Sequence, residues 1–184
     1  MAEKYLIVVD VQNDFVTGTL GTKEAENILP LVIKKIEKYD GKIYFTQDTH
    51  EANYLETQEG KELPVEHCIR GIKGWDLAGR LKDIQKLKEL PIYQKNTFGS
   101  VKLAEELRRK AEEGEILNIE LVGLCTDICV VTNALLLKAY MPEIPIYIDA
   151  SCCAGVTPKK HKAALETMRS CQIIVYESNA ERLA

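Results

Sequence analysis

Six apolar, β-branched runs recur along the chain with helix-like spacing between them, and this alternation constrains the fold more than any other feature. The runs are Tyr5–Val9, Lys42–Thr46, Leu90–Tyr93, Ile116–Val122, Ile144–Ile148 and Gln172–Tyr176. Their near-continuous apolar character fits strands buried on both faces, as in a parallel sheet. Helices are expected between them at Glu24–Tyr39, Val101–Glu112, Asp127–Ala139 and Pro158–Arg169. Thr157 followed by Pro158 makes a good helix start, a capping hydroxyl and then proline at the first helical position. The alternation predicts an α/β domain, a three-layer sandwich around a mainly parallel six-stranded sheet, Rossmann-like, with right-handed crossovers. Residues 49–89 break the rhythm with only a short helix around Leu77–Leu87. A long excursion inside a compact domain is more often functional than idle.

The 184 residues suggest a single domain spanning 1–184, able to bury roughly 70% of its unfolded surface. A formal net charge of −4 argues against nucleic acid as a partner, which needs a basic patch. The N-terminus lacks a signal pattern and no apolar stretch is long enough to span a bilayer, so the expectation is a cytoplasmic protein without a membrane partner. Six cysteines, at 68, 125, 129, 152, 153 and 171, would stay reduced there. None form C-x-x-C, which disfavours a zinc ribbon or a thioredoxin-like site.

In open α/β sheets, ligands bind beyond the carboxyl ends of the strands. The first expected strand ends at Asp10 (LIVVDVQNDF) and the second at Asp48, with His50 two residues on (YFTQDTH). The third ends near Lys95 (IYQKNTFGS), and the fourth at Gly123, leading to Cys125 and Cys129 (LVGLCTDICVVTN). Singly, each has an ordinary explanation: a turn-forming aspartate, a surface lysine, a buried thiol. Jointly, at one sheet edge, they form a set. With Thr126 or Asp127 near the N-cap, Cys129 lies in the first turn of a helix, where free N–H groups and the dipole favour a thiolate. A nearby lysine would lower the thiol pKa further. A carboxylate could take the thiol proton and later deliver it to a leaving group. Asp10, Lys95 and Cys129 are thus a self-consistent set for acyl transfer. Cys125, just before the helix, is better placed to lend a backbone N–H than a thiolate.

Asp48 and His50 are a plausible start for a metal site, with His67 (PVEHCIRG) from the excursion as third ligand. One Asp and two His leave positions open, as catalytic sites do. His161 (PKKHKAA) reads as a solvated helix residue and Trp75 as a packing residue.

The pieces VVDVQNDF, TQDTHEANY, PVEHCIRGIKGWDL, QKNTFGS and LVGLCTDICVVTNA together resemble the isochorismatase-like cysteine hydrolases, in particular their nicotinamidase (pyrazinamidase) branch. The resemblance covers essentially the whole chain. It implies the isochorismatase-like hydrolase fold and a cysteine amidohydrolase converting nicotinamide to nicotinate and ammonia, as in NAD salvage. It assigns Asp10, Lys95 and Cys129 as the catalytic triad, and the backbone N–H groups of Cys125 and Cys129 as the oxyanion hole. A cis Leu124–Cys125 bond would turn the first of these inward. It assigns Asp48, His50 and His67 to one divalent transition metal, usually zinc, sometimes iron or manganese, which can bind the substrate's ring nitrogen. Glu59 is a candidate further ligand. Phe15 and Phe98 fall where the family places aromatic walls around the ring. Relatives often carry an aromatic residue shortly before the third ligand; here the stretch is Leu63-Pro64-Val65, so one pocket wall differs. The family often assembles as homo-oligomers.

The nearest competing reading is another small amide or carbamoyl hydrolase of the same family. A non-catalytic binding protein on this fold is a second. A redox role would need a 125–129 disulfide, and a phosphotransferase reading of VVDVQND is weak because Gln12 replaces a second aspartate.

Overall fold

A computed structural model describes residues 1–177. Its strands are β1 (Glu3–Val9), β2 (Lys42–Asp48), β3 (Ile92–Lys95), β4 (Ile116–Leu124), β5 (Ile146–Ala154) and β6 (Ile174–Tyr176). They form one sheet in the order β3-β2-β1-β4-β5-β6. Every pairing is parallel, so the mainly parallel sheet expected is parallel throughout. The order reverses between β1 and β4, which opens a crevice at the carboxyl edge there.

The apolar runs are continuous because both faces of each central strand are covered. In β1, Tyr5, Ile7 and Val9 face one core while Leu6 and Val8 face the other. The second core is built with the helices α2 (Lys23–Lys38) and α4 (Leu81–Leu87), through Ile28, Val32, Ile36, Leu81 and Ile84. The first is closed by α5 (Val101–Glu112), α6 (Val131–Tyr140) and α7 (Pro158–Ser170), through Leu103, Leu107, Leu137, Leu165 and Met168. Two further short helices are α1 (Asn13–Val16) and α3 (Gln58–Glu62). Thr157 caps α7 as its sequence suggests, accepting from the Lys160 N–H at 3.2 Å. Thr22 and Ser100 do the same for α2 and α5.

β5 runs well beyond the expected Ile144–Ile148. Asp149 and Ser151 interrupt the apolar run, yet the strand continues, because Lys35 of α2 satisfies the buried Asp149 carboxylate at 2.6 Å. The segment 49–89 folds back on the sheet edge. His50 bridges to Ile69, and Gln12 to Leu77, so residues distant in sequence arrive beside Asp48. Among the described residues no helix is long and apolar enough to cross a membrane.

Candidate active site

The strand ends deliver their polar residues to one place. Asp10 follows β1 directly, with a backbone φ of 47°. Its carboxylate accepts from the Thr46 hydroxyl at 2.6 Å. Gly123 makes this approach possible: a Cβ there would lie 2.1 Å from the Val9 carbonyl oxygen, so any side chain would push β1 and β4 apart beside Asp10. Lys95, the last residue of β3, places Nζ 2.6 Å from Asp10 Oδ2, 3.3 Å from Asp48 Oδ1 and 3.5 Å from Cys129 Sγ. All of these side chains are buried. Cys129 sits in a wide helical turn, Thr126–Val130, that runs on into α6. The Leu124–Cys125 peptide before it is cis.

Burial sets the electrostatics. It works against the Lys95 ammonium, but Asp10 in particular, with Cys129 and Asp48, holds that group above its ordinary range. Burial also raises the Asp10 carboxyl, against the pull of Lys95. Burial first, and then the Asp10 charge, push the Cys129 thiol well above its usual value, and Lys95 offsets only part of this. The thiolate expected from a helix start beside a lysine is therefore not the resting form. Both shifts favour the neutral forms, so the Cys129 thiol and the Asp10 carboxyl stand beside Lys95 as a pair across which one proton could pass.

A second cluster adjoins the first. Asp48 Oδ2 lies 3.0 Å from His50 Nε2 and 3.7 Å from His67 Nε2. The ligand atoms of all three lie within 4.8 Å of one another. Glu59 Oε1, from α3, is 3.8 Å from His50 Nε2 and 3.7 Å from His67 Nε2. Ligand atoms about 2.0–2.1 Å from a tetrahedral zinc stand roughly 3.3–3.5 Å apart, so the observed spacings fit such an ion. His67 Nδ1 is 2.8 Å from the Val65 carbonyl; it donates there, which leaves Nε2 with its lone pair toward the cluster. Burial alone would raise the Asp48 carboxyl, but the His50 hydrogen bond and the Lys95 charge hold it below the usual range, in the anionic form a metal takes.

One cavity of ≈ 1320 Å³ is lined by Lys95 and Cys129 of the first cluster, by the second cluster, by Cys125, and by Phe15 and Phe98; Asp10 lies fully buried behind Lys95. Phe15 is buried, its ring 5.6 Å from that of His67, whereas Phe98 is 46% exposed at the rim. Leu63 lines the same cavity.

A model of the isochorismatase domain matches residues 4–180. The chain belongs to the isochorismatase family. Over 173 residues it is 31% identical to the uncharacterized isochorismatase family protein PncA of Bacillus subtilis, covering 89% of this chain and 92% of that one. The crystal structure of nicotinamidase/pyrazinamidase PncA from Bacillus subtilis superposes with a TM-score of 0.80 at 29% identity, covering 96% and 100% of the two chains. Pyrazinamidase of Pyrococcus horikoshii in complex with zinc gives a TM-score of 0.79 at 25% identity, covering 96% and 99%.

Several residues of this isochorismatase-family site escape a reading of the sequence. The buried Gln12 pairs with both backbone groups of Asp48, donating to its carbonyl at 2.8 Å and accepting from its N–H at 2.7 Å. Asn133 of α6 accepts from the Ser100 N–H at 2.9 Å and donates to the Phe98 carbonyl at 3.2 Å, so it holds the rim loop. The Tyr54 ring packs 4.7 Å from His50 and 4.9 Å from His67, and its hydroxyl donates to the Leu63 carbonyl. The one available signal is a polar side chain at an otherwise apolar position, as at Asn133 in VVTNALL. Trp75 does more than pack: its indole N–H donates to Thr49 at 2.8 Å, and its carbonyl accepts from Gln12 and Gln47. His161 is only partly exposed, and its Nδ1 lies 2.8 Å from the Thr126 hydroxyl. Neither Thr126 nor Asp127 caps the turn; both lie inside it, and Cys125 stands at the N-cap position without a side-chain hydrogen bond.

Proposed function

We propose that this protein is a cysteine amidohydrolase that converts nicotinamide to nicotinate and ammonia. The observation that carries the reading is Lys95, within 3.5 Å of Cys129 and 2.6 Å of Asp10 in a cavity that also holds the Asp48, His50 and His67 cluster. The relatives named nicotinamidase and pyrazinamidase support it.

In this reading Phe15 and Phe98 flank the pyridine ring and place the carboxamide beside Cys129. Asp10 takes the thiol proton while Sγ attacks the carbonyl carbon. Lys95 keeps a positive charge against both partners as the proton moves. The N–H groups of Cys125 and Cys129 hold the oxyanion. Asp10 returns the proton to the departing ammonia and leaves a thioester. It then takes a proton from water, whose oxygen adds to the thioester carbon; nicotinate leaves and the thiol is restored. Asp48, His50 and His67 hold the metal, with Glu59 as a further ligand. We take the metal to be zinc, which when bound supplies a Lewis-acid anchor for the ring nitrogen. The same reading places the enzyme in the cytoplasm, where its unpaired cysteines stay reduced, and assembles it as a homo-oligomer.

A second reading, a different small amide, is favoured by the cavity's width and by Leu63 in its wall. Ammonia release from nicotinamide, pyrazinamide and other small amides separates the two. Cys129→Ala is expected to cut release at least about 10³-fold. Cys125→Ala, which keeps its backbone N–H, is expected to retain most of it. Equal losses in the two variants would overturn the assignment of the nucleophile.

A further inference from the structure

The turn that carries Cys129 has no side-chain cap of its own. Two later N–H groups are served from within: the Cys125 carbonyl accepts from Ile128 at 3.0 Å and from Val130 at 3.1 Å. The two side chains that would ordinarily cap such a start are turned to α7 and the loop before it. Thr126, fully buried, places Oγ1 2.8 Å from His161 Nδ1. Asp127 Oδ1 accepts from the Val156 N–H at 2.9 Å. Gly155 permits the close approach, since a Cβ there would meet Asp127 Oδ1 at 2.7 Å and His161 Cα at 3.0 Å. The His161 backbone is held in the first turn of α7, its main-chain N–H donating to the Thr157 carbonyl at 2.9 Å.

Thr126 directly follows Cys125 and precedes Cys129 by three residues. A small rotation of this turn would move Sγ and both candidate oxyanion donors together, relative to Lys95 on a different strand. Misplacement of reacting groups by about 1 Å can cost about 100-fold in rate. Burial keeps the His161 imidazole below its ordinary pKa, against the pull of Asp127 and Glu177, so the ring is neutral and pairs with the hydroxyl as an uncharged partner.

We propose that His161 is a positioning residue for amide hydrolysis, holding the Cys129 turn in register with Lys95 through its hydrogen bond to Thr126. The proposal rests on Cys129 being the nucleophile. His161 touches neither the substrate nor the reacting atoms. An asparagine side chain can offer a polar group near the Nδ1 position; alanine cannot.

The test uses the purified full chain, with three readouts: steady-state ammonia release from nicotinamide, the rate of Cys129 alkylation by iodoacetamide followed by mass spectrometry, and the melting temperature. His161→Ala is expected to lower kcat roughly 10- to 100-fold, leave KM within about twofold and slow Cys129 alkylation, while His161→Asn recovers most of both rates. Thr126→Val is expected to match His161→Ala, and the double variant to be no slower than either single one, because both remove one bond. Losses that multiply in the double variant, an asparagine variant no better than alanine, or an effect on KM alone would overturn the proposal. If His161→Ala does not fold, Thr126→Ser against Thr126→Val decides: equal rates overturn it. A wild-type chain that releases no ammonia would sink the nicotinamidase reading instead. The alkylation rates then decide this proposal, and equal rates in wild type, His161→Ala and Thr126→Val overturn it.

Discussion

Lys95 couples the two halves of the site. Its ammonium lies against the carboxylates of Asp10 and Asp48 and against the thiol of Cys129, and all four groups are buried. Removing one partner of a buried ionic group leaves uncompensated charge, at a cost of about 3–5 kcal/mol. Lys95→Met is therefore expected to lower the free energy of unfolding by about that amount, read by urea denaturation, and to abolish ammonia release. An unchanged denaturation midpoint would mean that Asp10 and Asp48 do not both carry charge in the resting site. The thiol and the lysine are raised for opposite reasons: burial and the Asp10 charge lift the Cys129 thiol, whereas burial works against the Lys95 ammonium and the neighbouring anionic groups, Asp10 first, lift it.

At the scale of elements, a second ionic cluster ties α2 to three strands. Lys35 of α2 pairs with Glu120 of β4 and Asp149 of β5, and its Nζ is 3.0 Å from the hydroxyl of Tyr176 of β6. Burial would lift the Asp149 carboxyl, but hydrogen bonds from Lys35 and Ser151 more than offset it and hold the group below its ordinary range. A depressed carboxylate contributes stability that is complete above the unfolded value of about 3.9 and is lost as pH falls through the folded value. The urea midpoint is thus expected to drop as pH falls from about 5 to about 3. Asp149→Asn should flatten that fall, and a wild-type midpoint constant over the range would contradict the pairing. The same cluster explains how β5 passes through Asp149 instead of stopping there.

For the molecule as a whole, the two apolar cores lie on opposite faces of one sheet, which supports the reading of residues 1–184 as one domain. Circular dichroism and tryptophan fluorescence should then report one coincident melting transition; two separated transitions would refute it. Metal that binds only the folded chain should raise the melting point, by about 2.7 kcal/mol of stability at a hundredfold excess over Kd. Zinc added to chelator-stripped protein is expected to give this rise, and His50→Ala to remove it. What the sequence by itself determined is the layered fold and the sheet edge at which the candidate reacting groups gather. Runs such as Tyr5–Val9 are apolar on both faces only in a covered sheet, and Asp10, Asp48 and Lys95 stand at the ends of such runs, with Cys129 in the turn that follows one, where the rule of strand carboxyl ends applies. What only the tertiary structure decided depends on distances between segments far apart in the chain: Glu59 beside the two histidines, Gln12 on both backbone groups of Asp48, Thr126 turned to His161 instead of capping its own helix. The protonation of Cys129 belongs with these, because local sequence supplies the helix start that favours a thiolate, while the depth of burial and the neighbouring Asp10, set by packing, outweigh it.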